Sequence, residues 1–197
     1  MPKIDTQTIQ KLRQQTGAGM MDAKKALEEA DGDKSKALDI LRKKGQKIAA
    51  KKQAERSAKD GLVESYIHTG GKVGSMIVLA CETDFVAKNE EFKNLAHEIA
   101  MQVAAMQPEY ISPQDVPADV VAKEKEIYKE QLSKEGKSVA MLDKIVAGKL
   151  EKFYEQNCLL NQKYIKDDKK TINDLIVEAT AKLGEKIEVK KMIVFTL

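Results

Sequence analysis

Apolar residues near the start of the chain recur at helical spacing in three short stretches, which are separated by the glycine-containing breaks TGAG and DGD. Asp5 and Asp33 stand where helix N-caps belong, and Gly45 stands where a helix C-terminus belongs. The pattern therefore predicts three helices of about ten residues each. We expect them to form a compact mini-domain over residues 1–45, with a small core and an exposed face that is free for a partner.

Residues 46–60, QKIAAKKQAERSAKD, are alanine-rich and lack a strong apolar stripe, which predicts a solvent-exposed helical linker. From Arg42 to Lys59 the chain carries eight basic residues against one acid, Glu55. Two interpretations fit this charge. The segment is either a solvated connector, which is the simpler interpretation, or a patch that contacts the phosphates of a nucleic acid.

From Gly61 onward the apolar spacing changes from helical to alternating, which predicts β-strands. LVESYIH and KVGSMIVLACE flank the turn TGG at residues 69–71, a pattern typical of a β-hairpin. The last segment, EKIEVKKMIVFTL, is short and rich in β-branched residues. We expect it to add a third strand to the hairpin.

Helical spacing dominates the remainder of the chain. The predicted helices run from about Glu90 to Gln107, at Ser112–Pro113, from Pro117 to Gly136, across 138–156 with an interruption or kink near Gly148, and through TINDLIVEATAKLG. Together the patterns predict an α+β fold. Its core domain, residues 61–197, is a small antiparallel sheet covered by helices.

Composition narrows the class of protein. Apolar residues make up 42% of the 197, enough for a core, and charged residues make up 33% with a net charge of only +3. This balance favours a solvated helical surface over a general polyanion binder. Cys81 and Cys158 are too few for a disulfide framework and lack zinc-ligand spacing, so we expect a reducing compartment. The chain has no apolar run of membrane-spanning length and no signal-peptide core, which predicts a cytoplasmic protein.

Candidate catalytic residues are few. His97 lies one position from an apolar stripe, so a structural role is favoured, and His68 closes a strand. Cys81 lies in an apolar strand, and Cys158 lacks a basic neighbour that would activate it. The glycines of HTGGKVG fit a turn better than a phosphate-binding loop. We find no catalytic constellation and expect neither an enzyme nor a cofactor or metal site.

Two features of the sequence favour a role in binding a partner protein over a role in catalysis. Met20 and Met21 are adjacent at the start of a helix, so at least one must point away from a small core, although both being packed inside is an equally good interpretation. Phe85 and Asp84 lie in ETDFVAKNEEF, a connection between a predicted strand and a long helix. A phenylalanine at such a position suggests a side chain intended for another protein.

Two long segments resemble the elongation factor Ts family, whose members exchange the nucleotide of elongation factor Tu. They are LRQQTGAGMMDAKKALEEADGDKSKALDILRKKG (residues 12–45) and CETDFVAKNEEFKNLAHEIAMQVAAMQPEYI (residues 81–111). The linker and the segment LGEKIEVKKMIVFTL are similar to the family as well, so the resemblance covers essentially the whole chain. It implies a ubiquitin-associated-like N-terminal domain of three helices, followed by a core dimerisation domain.

The resemblance also implies roles for individual residues. The segment that disturbs the magnesium site of elongation factor Tu would be Thr83, Asp84, Phe85 and Val86. Docking contacts would come from Met20, Met21 and His68. The family's function implies no nucleotide bound directly by this chain, and contact with nucleic acid only through the partner.

The chain departs from its longer relatives in one respect. Those relatives carry two related core units and an inserted coiled coil, whereas this sequence has room for one core unit and contains no long heptad segment. A single unit cannot supply both halves of a pseudo-symmetric core. We therefore expect a homodimer to replace the missing half.

Overall fold

The computed structural model describes residues 5–134 and 139–197, and within them it contains eight α-helices and five β-strands. Three strands form one antiparallel sheet and the other two form a separate hairpin. The α+β class predicted from the sequence is confirmed. None of the helices in these two stretches combines the length and the apolar character needed to cross a lipid bilayer.

The first three helices are α1 (Thr6–Thr16), α2 (Met20–Glu29) and α3 (Lys34–Glu55). Two of them begin at the predicted caps, because Asp5 and Asp33 each accept hydrogen bonds from backbone N–H groups in the following turn. One cluster of buried side chains joins the three helices: Ile9, Leu12, Ala23, Ala26, Leu27, Ala30, Ala37 and Leu41. Its members come from these helices and, for Ala30, from the C-cap position directly after α2.

The remaining helices are α4 (Asp84–Ala87), α5 (Glu90–Met106), α6 (Ala118–Lys134), α7 (Val139–Asn157) and α8 (Ile172–Leu183). An interruption or a kink was predicted near Gly148; the interruption is wrong, because α7 runs through this residue without a break, and the kink stays a prediction. The short helix predicted after Ser112 is a 3-10 turn, Pro113–Asp115, closed by a capping box. The predicted helix end at Gly136 lies outside the described residues.

The predicted end of the third helix at Gly45 is also wrong. Helix α3 continues to Glu55, so most of the predicted linker belongs to the same helix, and only residues 56–59 lie between it and the first strand. A glycine inside a helix costs about 1 kcal/mol, which the packing of a long helix easily offsets. A Cβ built on Gly45 would lie 3.5 Å from the Ala181 Cβ of α8, so this position packs against another helix. The proposed domain limits at residues 45 and 60 stay predictions.

The three-stranded sheet has the order β1 (Asp60–Ile67), β2 (Val73–Cys81), β5 (Glu188–Thr196). The predicted hairpin and the third strand are therefore confirmed. Gly61 approaches the central strand closely: its φ is +146°, and a Cβ there would lie 2.2 Å from the Leu79 carbonyl oxygen. Only glycine fits this position without displacing backbone.

A second, two-stranded hairpin was not predicted. Strand β3 (Lys163–Tyr164) pairs antiparallel with β4 (Asp167–Thr171). Its sequence, KYIKDDKKT, is mostly charged and lacks alternating apolar positions. Without that alternation, the sequence gives no period-2 signal by which such strands are recognised.

The chain divides into two compact units. The first comprises the described residues up to Glu64, Val78–His97 and Asp174–Lys190; the second comprises Ser65–Ile77, the described part of Glu98–Asn173, and Lys191–Leu197. The first unit contains α1 to α4, with the segment Thr83–Val86 and the two methionines of α2. His68 belongs to the second unit.

Candidate partner-binding site

Phe85 lies on a single helical turn, α4, between the end of β2 at Cys81 and the start of α5 at Glu90. Its side chain is 81% exposed. On the same turn Ala87 is buried and Val86 is half-buried, so one side of α4 packs against the protein while the phenylalanine ring points into solvent. The expected exposure of Phe85 is confirmed. A large aromatic ring held in water on an ordered turn is available to a partner.

Asp84 begins the same turn and forms an ion pair with Lys88, with 2.7 Å between Oδ2 and Nζ. The hydrogen bond and the positive charge of Lys88 lower the pKa of Asp84 below its ordinary value. Both side chains are exposed, so the pair contributes little to folding. The result is a carboxylate beside the exposed ring that stays charged at neutral pH.

A carboxylate distant in the sequence holds the segment that leads into α4. Glu185 Oε2 accepts hydrogen bonds from the backbone N–H groups of Glu82 and Thr83, both at 3.0 Å. Its Oε1 accepts a third from the Thr83 hydroxyl at 2.6 Å. Both oxygens of one half-buried side chain are therefore used at the entry to the turn.

The side chain of Glu82 extends this contact. It accepts from the Lys186 N–H at 2.6 Å and from the Arg56 guanidinium at 3.1 Å. Burial alone would raise the pKa of Glu82, but these hydrogen bonds and the charge of Arg56 outweigh it and hold the pKa below its ordinary value. Residues 82 and 83 are thus hydrogen-bonded, through both backbone and side-chain atoms, to Glu185 and Lys186 in the segment before β5.

Cys81 is a structural residue, as its apolar surroundings in the sequence indicate. Its thiol is fully buried and donates to the Thr83 carbonyl at 3.1 Å. Burial raises the pKa of Cys81 to about 11, and likewise that of Cys158 to about 11. Neither sulfur is a thiolate at neutral pH, so neither is an activated nucleophile.

The methionines at the start of α2 are both exposed, Met20 at 38% and Met21 at 64%. The interpretation in which both are packed inside the first three helices is therefore wrong. In the loop before them, Gly19 occupies the N-cap position without a side-chain cap. Two adjacent flexible, polarizable side chains in solvent form an adaptable apolar contact surface.

The two histidines are surface residues with different neighbours. His68 follows β1, where its Nδ1 lies 3.2 Å from the hydroxyl of Tyr66. His97 lies on α5 with its Nδ1 3.0 Å from Glu64 Oε1. Within the described residues, no three or more His, Cys, Asp and Glu side chains are arranged to hold a metal ion.

Sequence reasoning missed Glu185 and its neighbour Lys186. They stand more than 100 residues from the segment they hold, and GEK reads as an ordinary charged loop before a strand. The pairing of a carboxylate with backbone amides leaves no local pattern. It becomes visible only when the fold brings residues 82–83 and 185–186 together.

Comparison with known proteins gives one consistent result. The family profile described as Elongation factor TS matches residues 5–197. Elongation factor Ts of Caldanaerobacter subterraneus subsp. tengcongensis is 56% identical over 188 residues, covering 95% of this chain and 94% of that protein. The Elongation factor Ts proteins of Moorella thermoacetica (56% identical; 94% and 91% covered) and Fervidobacterium nodosum (53% identical; 97% and 96% covered) are similarly close. The chain belongs to the elongation factor Ts family, and its role is that of a translation elongation factor.

Proposed function

We propose that this chain is a guanine-nucleotide exchange factor that binds the GDP complex of elongation factor Tu and promotes replacement of GDP by GTP. The observation that carries the proposal is the exposed ring of Phe85 on an anchored turn. Membership in the elongation factor Ts family supplies the partner. The chain acts by binding and is not an enzyme.

Exchange requires only a difference in affinity. A protein that binds the nucleotide-free GTPase more tightly than the GDP-bound form must weaken GDP binding by the same factor, because the two equilibria are linked. In such GTPases the diphosphate is held by magnesium and by backbone amides of the phosphate loop. Displacing an element beside that site is therefore enough to release the nucleotide.

The segment Thr83–Val86 is suited to hold the displaced state. Burying the exposed ring of Phe85 in the partner offers about 2 kcal/mol, close to the 1.4 kcal/mol that changes an equilibrium tenfold. Asp84 brings a negative charge to the same place, where it opposes retention of phosphate and accepts hydrogen bonds from displaced backbone. The remaining residues of the segment fix the turn.

Docking is assigned to Met20, Met21 and His68. The two methionines are exposed at the start of α2, and His68 is exposed at the end of β1. These contacts act in both nucleotide states, so they supply affinity but no discrimination. The chain needs no cofactor or nucleotide of its own, and its place of action is the cytoplasm, where translation takes place.

The active form is proposed to be a homodimer. In the second unit Ser75 Oγ donates to the Ala100 carbonyl at 2.6 Å, so this side of β2 faces α5. On the strands of the same unit, large apolar side chains remain exposed: Ile67, Met76, Ile193 and Phe195. Apolar residues at alternate, exposed positions of a sheet are typical of a face that pairs with another copy. Light scattering at micromolar concentration tests this; a monomeric mass contradicts it.

Comparing the affinity of the chain for nucleotide-free and GDP-loaded elongation factor Tu tests the exchange proposal. We expect a markedly lower Kd for the nucleotide-free form, because only that form accepts the displaced element. Equal affinities for both forms would mean that the chain is an adaptor that binds the GTPase without affecting its nucleotide. Binding to RNA with a steep salt dependence, and none to the GTPase, would instead favour a role for the basic stretch of α3.

A further inference from the structure

The turn that carries Phe85 is not capped in the usual way. Thr83 occupies the N-cap position of α4 in an extended conformation, yet its side chain makes no hydrogen bond to the following turn. Its hydroxyl instead donates to Glu185 at 2.6 Å. A threonine at an N-cap ordinarily accepts from the helix it begins, so here that hydroxyl serves an external contact.

Glu185 is well suited to fix this junction. It accepts from two consecutive backbone N–H groups, of Glu82 and Thr83, and from the Thr83 hydroxyl. Hydrogen bonds to an ionised acceptor are about twice as strong as neutral ones. Three of them on two adjacent residues restrict both the direction of the chain and its rotation as it enters α4.

The segment that carries Glu185 is itself fixed to α3. Lys52 donates to the Gly184 carbonyl, and Gln53 donates to the Ile187 carbonyl at 2.6 Å. In return the Lys186 ammonium donates to the Gln53 carbonyl at 3.1 Å. The last turns of α3, the segment 184–187 and residues 82–83 therefore form one hydrogen-bonded group inside the first unit.

We propose that Glu185 is a positioning residue that sets the orientation of α4 and so the direction in which Phe85 is presented to the partner. The inference rests on the proposed exchange function and adds a role for a residue outside the segment Thr83–Val86. Glu185 acts through Thr83 and Glu82 and needs no contact with the partner itself. Because its segment is bonded to α3, the same group ties the turn that carries Phe85 to the third of the N-terminal helices.

One test needs no partner. The sequence contains no tryptophan, so Phe85→Trp places a single tryptophan fluorophore on α4. We expect its fluorescence anisotropy to fall when Glu185→Gln is added, because the turn becomes more mobile. The matched control is Glu55→Gln, which removes the same charge from an exposed carboxylate that pairs with Lys51 on α3. Anisotropy in the control background should remain that of Phe85→Trp alone.

The second test measures GDP release from elongation factor Tu with Phe85 intact. For Glu185→Gln we expect the maximal stimulated rate to drop about tenfold, while the concentration for half-maximal stimulation changes by less than about twofold, since docking is untouched. Thr83→Val, which removes only the hydroxyl bond, should give a smaller drop, and Thr83→Ser should restore the rate. Combined with Glu185→Gln, Thr83→Val should add little, because both changes break one contact.

The outcomes separate the two proposals. No stimulation by the unmodified chain overturns the exchange function, whatever the anisotropy shows. Normal stimulation by the unmodified chain, together with an unchanged maximal rate in folded Glu185→Gln, overturns the positioning role alone. Should Glu185→Gln fail to fold by circular dichroism, Thr83→Val carries the test, and an unchanged maximal rate there is equally decisive against it.

Discussion

Replacing Phe85 by alanine separates partner binding from folding. Phe85 is 81% exposed, so only about a fifth of its accessible area is covered by the rest of the chain. At about 2.5 kcal/mol for burying a whole phenylalanine side chain, the loss of stability is roughly 0.5 kcal/mol. In a chain of this size that corresponds to a fall in Tm of about 1–2 °C. Stimulated GDP release should drop far more, because we propose that this ring becomes buried in the partner.

Phe92 is the matched control for this variant. It lies seven positions later, is fully buried, and loses the same atoms when replaced by alanine. Phe92→Ala should lower the free energy of unfolding by about 3–5 kcal/mol. The assay is thermal unfolding of each variant alone, followed by GDP release from elongation factor Tu. A large fall in Tm for Phe85→Ala would show that the ring stabilises the fold. Full exchange activity in that variant would show that the ring takes no part in releasing GDP.

Three further outcomes follow from the structure. Gly61→Ala should lower the midpoint of urea unfolding, because the added Cβ would lie 2.2 Å from a backbone oxygen of the neighbouring strand; an unchanged midpoint would contradict this close approach. Cys81 and Cys158 are buried, and their pKa is raised from 9.0 to about 11, which lowers the thiolate fraction at pH 8 about a hundredfold. They should therefore react with a thiol reagent at pH 8 at least tenfold more slowly in the native than in the unfolded protein. Burial raises the pKa of Glu82, but the hydrogen bonds from Lys186 and Arg56 and the charge of Arg56 together outweigh it and lower the pKa. The stabilisation from this carboxylate is therefore complete above pH 4.5, its ordinary pKa, and is lost as pH falls through the lowered pKa. The stability difference between wild type and Glu82→Gln should accordingly narrow below pH 4.5, and a constant difference would exclude this contribution.

The sequence predicts those parts of the fold whose signals are local. Asp5 and Asp33 cap helices because a short side-chain oxygen satisfies N–H groups two or three residues away. The third strand was predictable because β-branched residues suit a pleated surface. The helix end predicted at Gly45 was wrong because it also rested on a local signal. A glycine after basic residues commonly ends a helix, but α3 continues through Gly45 to Glu55, where tertiary packing stabilises it.

The candidate site likewise contains one residue with a local sequence signal and one whose contacts depend on the fold. Phe85 was predictable because an aromatic residue in a polar connection contradicts its surroundings in the sequence. Glu185 was not, because its partners Glu82 and Thr83 lie more than 100 residues away and a carboxylate in a loop is ordinary. The local sequence therefore points to the exposed ring that we propose binds the partner, whereas the carboxylate that we propose orients it becomes apparent only from the fold.

If this chain is an exchange factor, it must release nucleotide from elongation factor Tu and do so repeatedly, which a kinetic measurement can follow. Elongation factor Tu loaded with fluorescent GDP is mixed with excess unlabelled GDP and a substoichiometric amount of the chain. We expect all the label to be released, at a rate proportional to the amount of chain added, since each molecule acts repeatedly. Release at the spontaneous rate, in the presence of demonstrated binding, would contradict this expectation.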